Sequence, residues 1–279
     1  GGEIITHNVA QSDVNFSNAE CNRAVMDVQG VAGGSAVTVQ LTGDLAGSPT
    51  TVAPFTNLFI GGMNPYENRV QFGGRTGGAN QDVNIDNLSV LYSNPAAAPS
   101  TIGTQAKFDG GGTSYSPTVD GGPGTEAPSI LSGGPTGNFL RLTHDGINNQ
   151  SNSIAFDSTY APGNAAAVST LQGSFDFRGA SGTGDPADGF ALALLPTGTF
   201  GDTGPGPGFT AEEPNIADTF ALGFDFHPTA TQNSISVHWD GVQIAENNSL
   251  PFDLDNGTFH GVDFEIHEVQ GGALVDVLV

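Results

Sequence analysis

The chain has 279 residues, 41 of them glycine and 17 proline, and sets 29 acidic side chains against 6 basic ones for a net charge of −23. So acidic a surface repels phosphate backbones and anionic headgroups, which excludes nucleic-acid binding and membrane insertion as functions. A hydrophobic content of 37%, including 18 Phe, suffices for a core and excludes global disorder.

The charge suits salty or calcium-rich surroundings, where counterions screen the repulsion, or serves solubility alone. The only lysine is Lys107 and the only cysteine Cys21, so no intrachain disulfide forms. Cys21 is expected to be a buried, inert thiol, with intermolecular pairing the lesser alternative. No run is long enough for a transmembrane helix. Residue 1 is Gly and no signal peptide is evident, so the chain reads as processed or partial. An extracellular or cell-surface location is inferred from composition alone.

In chain order, Ala24–Val28 and the alternating run Ala36–Leu41 predict a hairpin across a Gly-Gly turn. Ser93 to Thr104, with small residues and two prolines, predicts a linker that divides the chain into about 93 and 175 residues. Phe190–Leu195 is continuously apolar, as in a strand covered on both faces. Ser234–Trp239 alternates and ends at a turn, Asp240-Gly241, and Val262–His267 alternates again. Ala96–Ala98 is too short for a helix and lies between Pro95 and Pro99. The fold class is therefore all-β, with two packed antiparallel sheets. The expected core includes Phe139, Phe156, Phe175, Phe177, Phe190, Leu192, Phe224, Val237 and Phe264.

Residues 21–41 and 259–279 echo one another at a spacing of 238. Val31/Val269, Gly33/Gly271, Gly34/Gly272, Val37/Val275 and Val39/Val277 are identical, and Asp27/Glu265 and Val28/Ile266 are similar. A tandem repeat one sandwich domain long is one reading, and two unrelated hairpins sharing a period is the other.

The segments Asn138–Thr143, Asn152–Asp157, Gly173–Arg178, Ala187–Leu192, Ala221–Phe226 and Ser234–Gly241 carry a resemblance. From Lys107 onward the sequence resembles bacterial legume-type (L-type) lectin domains of the concanavalin A-like superfamily. Asn68–Gly78 followed by Ile85–Val90 is similar to the last two strands of such a domain. The resemblance implies a jelly-roll sandwich whose parts occur in permuted order. Residues 1–93 would be the C-terminal part of one lectin-like sandwich, 94–104 a linker, and 105–279 the N-terminal and middle part of a second. Three arrangements fit: one period of a tandem array, a permuted sandwich closed on itself, or a head-to-tail polymer completed by strands of a neighbouring copy. Because one sandwich has room for one of the two hairpins, the expectation is completion by another copy, with Phe72–Val90 contacting strands outside this chain.

The resemblance implies that Asp188, in Ala187-Asp188-Gly189, accepts sugar hydroxyls on a loop fixed by an unusual Ala–Asp peptide bond. A turn aspartate is the alternative. Gly189, Asp225, His227 and the Gly77-Gly78 loop would join Asp188 in one carbohydrate site. Of the family's calcium and manganese ligands only Asp225 is matched; Gly223 stands for the expected Glu, with Thr229 and Ser234 at later positions. A hard cation needs six or more oxygens, several charged, so Asp225 is a weak metal candidate. No cofactor is required, and Ca²⁺ stays open, including a lone ion at Gly184–Asp188. His227 and His238 are candidate transition-metal ligands, or a loop and a solvent-face histidine.

Asp263, Glu265 and His267 alternate on one strand face. Retaining glycoside hydrolysis needs two carboxyls about 5–5.5 Å apart, but the hydrolase pattern of this superfamily is missing, so a solvated polar face and no enzyme activity are expected. Asn15, Asn87, Asn149, Asn247 and Asn256 head Asn-x-Ser/Thr triplets and are candidate glycosylation sites. The functional expectation is an extracellular structural or adhesive protein that partners copies of itself head to tail. The alternative is a carbohydrate-binding module with glycan partners.

Overall fold

The computed structural model describes residues 23–31, 34–42, 53–93, 102–122, 124–159, 168–180, 186–208, 214–226 and 233–279. The chain divides into two units, Gly1–Thr51 and Val52–Val279. In the first, β1 (Arg23–Val31) and β2 (Gly34–Thr42) form an antiparallel two-stranded sheet in which Val31 pairs with Gly34 and Ala24 with Leu41.

The second unit begins with β3 (Phe55–Gly61), β4 (Asn68–Arg75), β5 (Asp82–Ser93) and β6 (Ile102–Ala106). Next come β7 (Tyr115–Gly121), β8 (Ser129–Gly134), β9 (Gly137–Thr143), β10 (Gln150–Phe156) and β11 (Thr170–Ala180). β12 (Gly189–Pro196) leads into a single helical turn, α1 (Thr197–Phe200). The chain continues through β13 (Phe220–Asp225), β14 (Ser234–Trp239), β15 (Val242–Asn247), β16 (His260–Val269) and β17 (Gly272–Leu278).

These strands make two antiparallel sheets. One has seven strands in the order β15-β14-β13-β12-β4-β10-β7. The other has eight, in the order β3-β17-β16-β11-β5-β9-β8, with β6 beside the second half of β5. Alternation places the core between them: Leu171, Phe175 and Phe177 of β11 are buried, while Thr170, Gln172, Ser174 and Asp176 point away. Phe175 and Phe177 meet Phe190 and Phe224 of the facing sheet. The Phe190 and Phe224 rings stack across β12 and β13 with centroids 4.5 Å apart and planes 6° apart. β12 is buried on both faces, as its apolar run predicts. Phe190, Leu192 and Leu194 face the main core, and Ala191, Ala193 and Leu195 lie with Ala221 beneath Phe200 and Ile216.

All nine expected core residues are buried, but Phe139 sits outside the main core. It packs with Phe259, and the Arg178 guanidinium lies over both rings, 5.0 and 4.7 Å from their centroids. Arg69 is fully buried. Its guanidinium donates to the carbonyls of Phe156 (2.7 Å), Phe200 (3.3 Å), Thr203 (3.2 Å) and Gly204, pinning the loop after α1.

The domain expectations need correction at two points. First, Phe72–Val90 does not look outward for its partners. β4 lies between β12 and β10, with Phe72 paired to Leu192 and Ile154, and β5 lies between β11 and β9. Residues 105–279 are thus completed by strands of their own chain. A strand's alternation fixes which face is buried, not which copy supplies the neighbour. Second, the expected linker is shorter than 94–104, because Ile102, Gly103 and Thr104 pair with Tyr92, Leu91 and Val90.

Candidate functional site

Of the expected carbohydrate-site residues, Gly77, Gly78, Asp188, Gly189 and Asp225 lie at one end of the seven-stranded sheet. Gly189 opens β12 and pairs with Arg75, the last residue of β4, and with Asp225, the last residue of β13. The Ala187–Asp188 peptide bond just before it is cis. Backbone hydrogen bonds clamp Asp188 between the neighbouring strands: its N–H donates to the Arg75 carbonyl (2.9 Å), and its carbonyl accepts from Phe226 (3.0 Å). A Cβ at Gly189 would collide with the Phe224 carbonyl, so this close approach requires glycine.

The Asp188 carboxylate lies over Gly77. A Cβ built at Gly77 would stand 2.9 Å from both carboxylate oxygens, so the oxygens occupy the space that any side chain at 77 would need. The Arg75 Nε is 3.4 Å from Asp188 Oδ2; the aspartate side chain is 17% exposed and the arginine 41%. Gly78 is exposed beside them.

A second loop braces the first. Thr76 is buried, its N–H donates to the Gln150 carbonyl (3.0 Å), and its hydroxyl donates to the Ile147 carbonyl (3.0 Å). The Asn149 N–H donates to the Gly77 carbonyl (3.0 Å), and the Asn80 amide donates to Asn148 Oδ1 (2.6 Å). Buried Gln150 donates to the carbonyls of His144 (2.8 Å) and Ile147 (2.9 Å). Loops 76–81 and 144–150 are therefore held together beside Asp188. Sequence reasoning did not single out Arg75, Thr76 or Gln150. Arg75 and Thr76 fall inside the motif at 68–78, but no spacing signals that their partners lie in other loops.

Asp225 is half-buried and pairs with Ser234 of β14, while Gly223 pairs with Ser236. One carboxylate with neighbouring hydroxyls does not fit the double-metal site that the resemblance implies. Among the described residues no three His, Cys, Asp or Glu side chains come together as a metal-binding group. His227, Thr229, Gly184, Asp185, Asn15 and Cys21 lie outside the described residues.

His238 is not a solvent-face histidine. It is fully buried on the outer side of β14, with Nε2 2.8 Å from Ser236 Oγ, and burial lowers its pKa to about 4. The face of Asp263, Glu265 and His267 is likewise not simply solvated. Glu265 is 1% exposed, and its Oε1 lies 2.8 Å from His267 Nε2 while accepting from Gln172 Nε2 at 2.9 Å. Asp263 is pushed up to about 6 by burial and then by the neighbouring Asp176.

The glycosylation candidates separate. Asn87 has φ 51°, its amide nitrogen donates to Asp176 Oδ2 (2.6 Å), and its Oδ1 accepts from Thr136 (2.7 Å). The nitrogen a glycan would join is thus already committed. Asn149 and Asn256 are exposed, and half-buried Asn247 donates to the Pro54 carbonyl (3.4 Å).

No protein-family model, no curated protein and no solved structure matches the chain.

Proposed function

We propose that the chain is an extracellular carbohydrate-binding module built on a concanavalin A-like, jelly-roll sandwich. The observation that carries this reading is the Asp188 carboxylate over Gly77, braced by two loops and adjoining Gly78, Gly189 and Asp225. A backbone-clamped, partly exposed carboxylate whose Oδ2 is buried toward Arg75 offers a charged acceptor to a sugar hydroxyl at its exposed edge, and glycine at 77 and 78 lets a ring approach.

The test is a glycan array followed by titration calorimetry, with and without Ca²⁺, on the parent, Asp188→Ala and Gly77→Val. The parent binds at least one glycan class, and each variant loses about 10-fold or more in affinity, as expected for a lost hydrogen bond to a charged group. Asp188→Ala leaves the melting temperature nearly unchanged. A parent that binds no glycan under either condition refutes the reading, and so does unchanged affinity in Asp188→Ala.

A second reading, a structural module that associates with copies of itself, is favoured by the duplicated hairpins. Regular fibres or tubes in electron micrographs would support it, and a monodisperse monomer at high concentration would oppose it.

A further inference from the structure

We infer that the two large sheets are closed to further strands: each lateral edge carries a break that stops another chain, a second copy included, from extending it. This inference rests on strand pairing and is independent of the glycan reading. It narrows the self-association reading to contacts other than sheet extension.

The edges are where an apolar partner would be expected. β15 and β7 end the seven-stranded sheet, and β3 and β8 end the eight-stranded one. Among the described residues, the large hydrophobics that stay exposed are Phe59 of β3, Val119 of β7, Ile130 of β8, and Val242 and Ile244 of β15. Every one lies on an edge strand. An apolar edge with free backbone groups is a template for strand addition, which natural sheets block with bulges, proline or charge.

Three of the edges are bulged. On β15, Gln243 pairs with His238 and Ala245 with Val237, so Ile244 is an extra residue with no counterpart. On β3, Leu58 pairs with Val275 and Phe55 with Val277, so Thr56 and Asn57 together face Asp276. Asn57 has φ 50°, and its N–H donates to Asp276 Oδ1 (2.6 Å), so that amide is engaged within the sheet. On β8, Ser132 pairs with Asn138 and Gly134 with Gly137, and the extra residue Gly133 has φ 101°. Each extra residue moves the outward N–H and C=O groups off the regular spacing that a straight incoming strand needs.

β7 has no bulge, and there proline does the blocking. The Asp157 N–H donates to the Ser114 carbonyl (2.7 Å), and the Gly122 N–H donates to the Asn149 carbonyl (3.3 Å). Both contacts continue the β7–β10 register, so even-numbered residues of β7 bond to β10 and odd-numbered ones point away. Pro117 therefore stands at an outward position between Tyr115 and Val119, where a further strand would need an N–H. β6, beside β5, is closed in another way. The Gln105 N–H donates to Thr113 Oγ1 (3.1 Å), and the Gln105 carbonyl accepts from the Thr113 N–H (2.8 Å).

The test compares the full chain with Pro117→Val, with deletion of Ile244, and with both changes together. Pro117 is exposed, so valine adds an outward N–H without disturbing the core, and deleting Ile244 makes the pairing of β15 continuous. Sedimentation equilibrium runs from micromolar to millimolar protein in high salt, which screens the net charge of −23 and leaves the edges as the barrier. Hydrogen exchange then locates any contact. The parent stays monomeric, or associates without added protection at 55–61, 115–121, 129–134 and 242–247. Pro117→Val keeps the melting temperature of the parent within a few degrees and at least doubles the weight-average mass at the highest concentration, with new protection of amides 115–121. The deletion has the same effect at 242–247. Oligomers of the parent in which those edge amides are protected would overturn the inference. So would a folded Pro117→Val that stays as monomeric as the parent, whatever becomes of the deletion variant.

Discussion

Replacing Asp263 with Asn should make the protein more stable at neutral pH. Asp263 lies on the outer side of β16, opposite Ser174 of β11 and Leu278 of β17, with Asp176 two residues further along β11. Burial and then Asp176 raise its pKa from 3.8 to about 6. Because the folded-state value lies above the unfolded one, the folded protein holds a proton that the unfolded chain has already lost between about pH 4 and 6. The resulting stabilisation is complete below about pH 4 and gone above about pH 6. Two pKa units correspond to about 3 kcal/mol, and partial solvent access reduces the cost of an ionised Asp263 at pH 7 to about 2 kcal/mol. Asn keeps the shape and cannot ionise. The variant should therefore gain about 2 kcal/mol at pH 7, about 4–8 °C in melting temperature, and gain nothing at pH 4. The assay is urea unfolding of parent and variant at half-unit steps from pH 4 to 8, plotted as a difference. Subtraction removes the opposing contribution of His238, whose lowered pKa makes both proteins lose stability as pH falls from about 6.5 to 4. A pH-independent difference, or a variant less stable than the parent at pH 7, would show that Asp263 is not held against its charge.

Phe224→Ala removes a 1% exposed ring stacked on Phe190 and should cost about 3–5 kcal/mol by urea unfolding; a loss under 1 kcal/mol would mean the core collapses into the gap. Arg69→Met leaves the carbonyls of Phe156, Phe200, Thr203 and Gly204 without their donor. It should cost about 3 kcal/mol or more and raise amide exchange across 200–204, and unchanged exchange there would count against the pinning role.

Much of this architecture was legible in the alternation of apolar residues. β11 and β16 show the expected period, and the unbroken run 190–195 gave away a strand covered twice. Polar residues at outward positions were the ones misread. His238 and Glu265 occupy such positions, yet Ala221 lies beside His238, and Gln172 and His267 close over Glu265. Period alone cannot tell an outward face that meets water from one roofed by other side chains. The pairing of β4 and β5 was missed for a different reason. The resemblance implied segments in an unusual order, but two open sheets would accept these strands from either copy. At the candidate site, Asp188, Gly77 and Gly78 came from the family resemblance. Arg75 and the brace made by Thr76 and Gln150 depend on loops brought together only by the sheet.

The central position of β4 and β5 also sets a timetable for folding. Each lies in the interior of its sheet, but β12, the neighbour of β4, ends at Pro196, 103 residues beyond Ser93 at the end of β5. At about 5–20 residues per second, translation of that interval takes roughly 5–20 s. During that time the apolar segment around Val70 and Phe72 has left the ribosome without the strand that will cover one of its edges. Pairings so distant in sequence are also slow to form once both strands exist. This chain should therefore depend on holding factors during synthesis and should refold poorly from denaturant at high concentration. A circular permutant beginning near residue 105, with 53–93 placed after Val279, would bring these strands out last and shorten the wait.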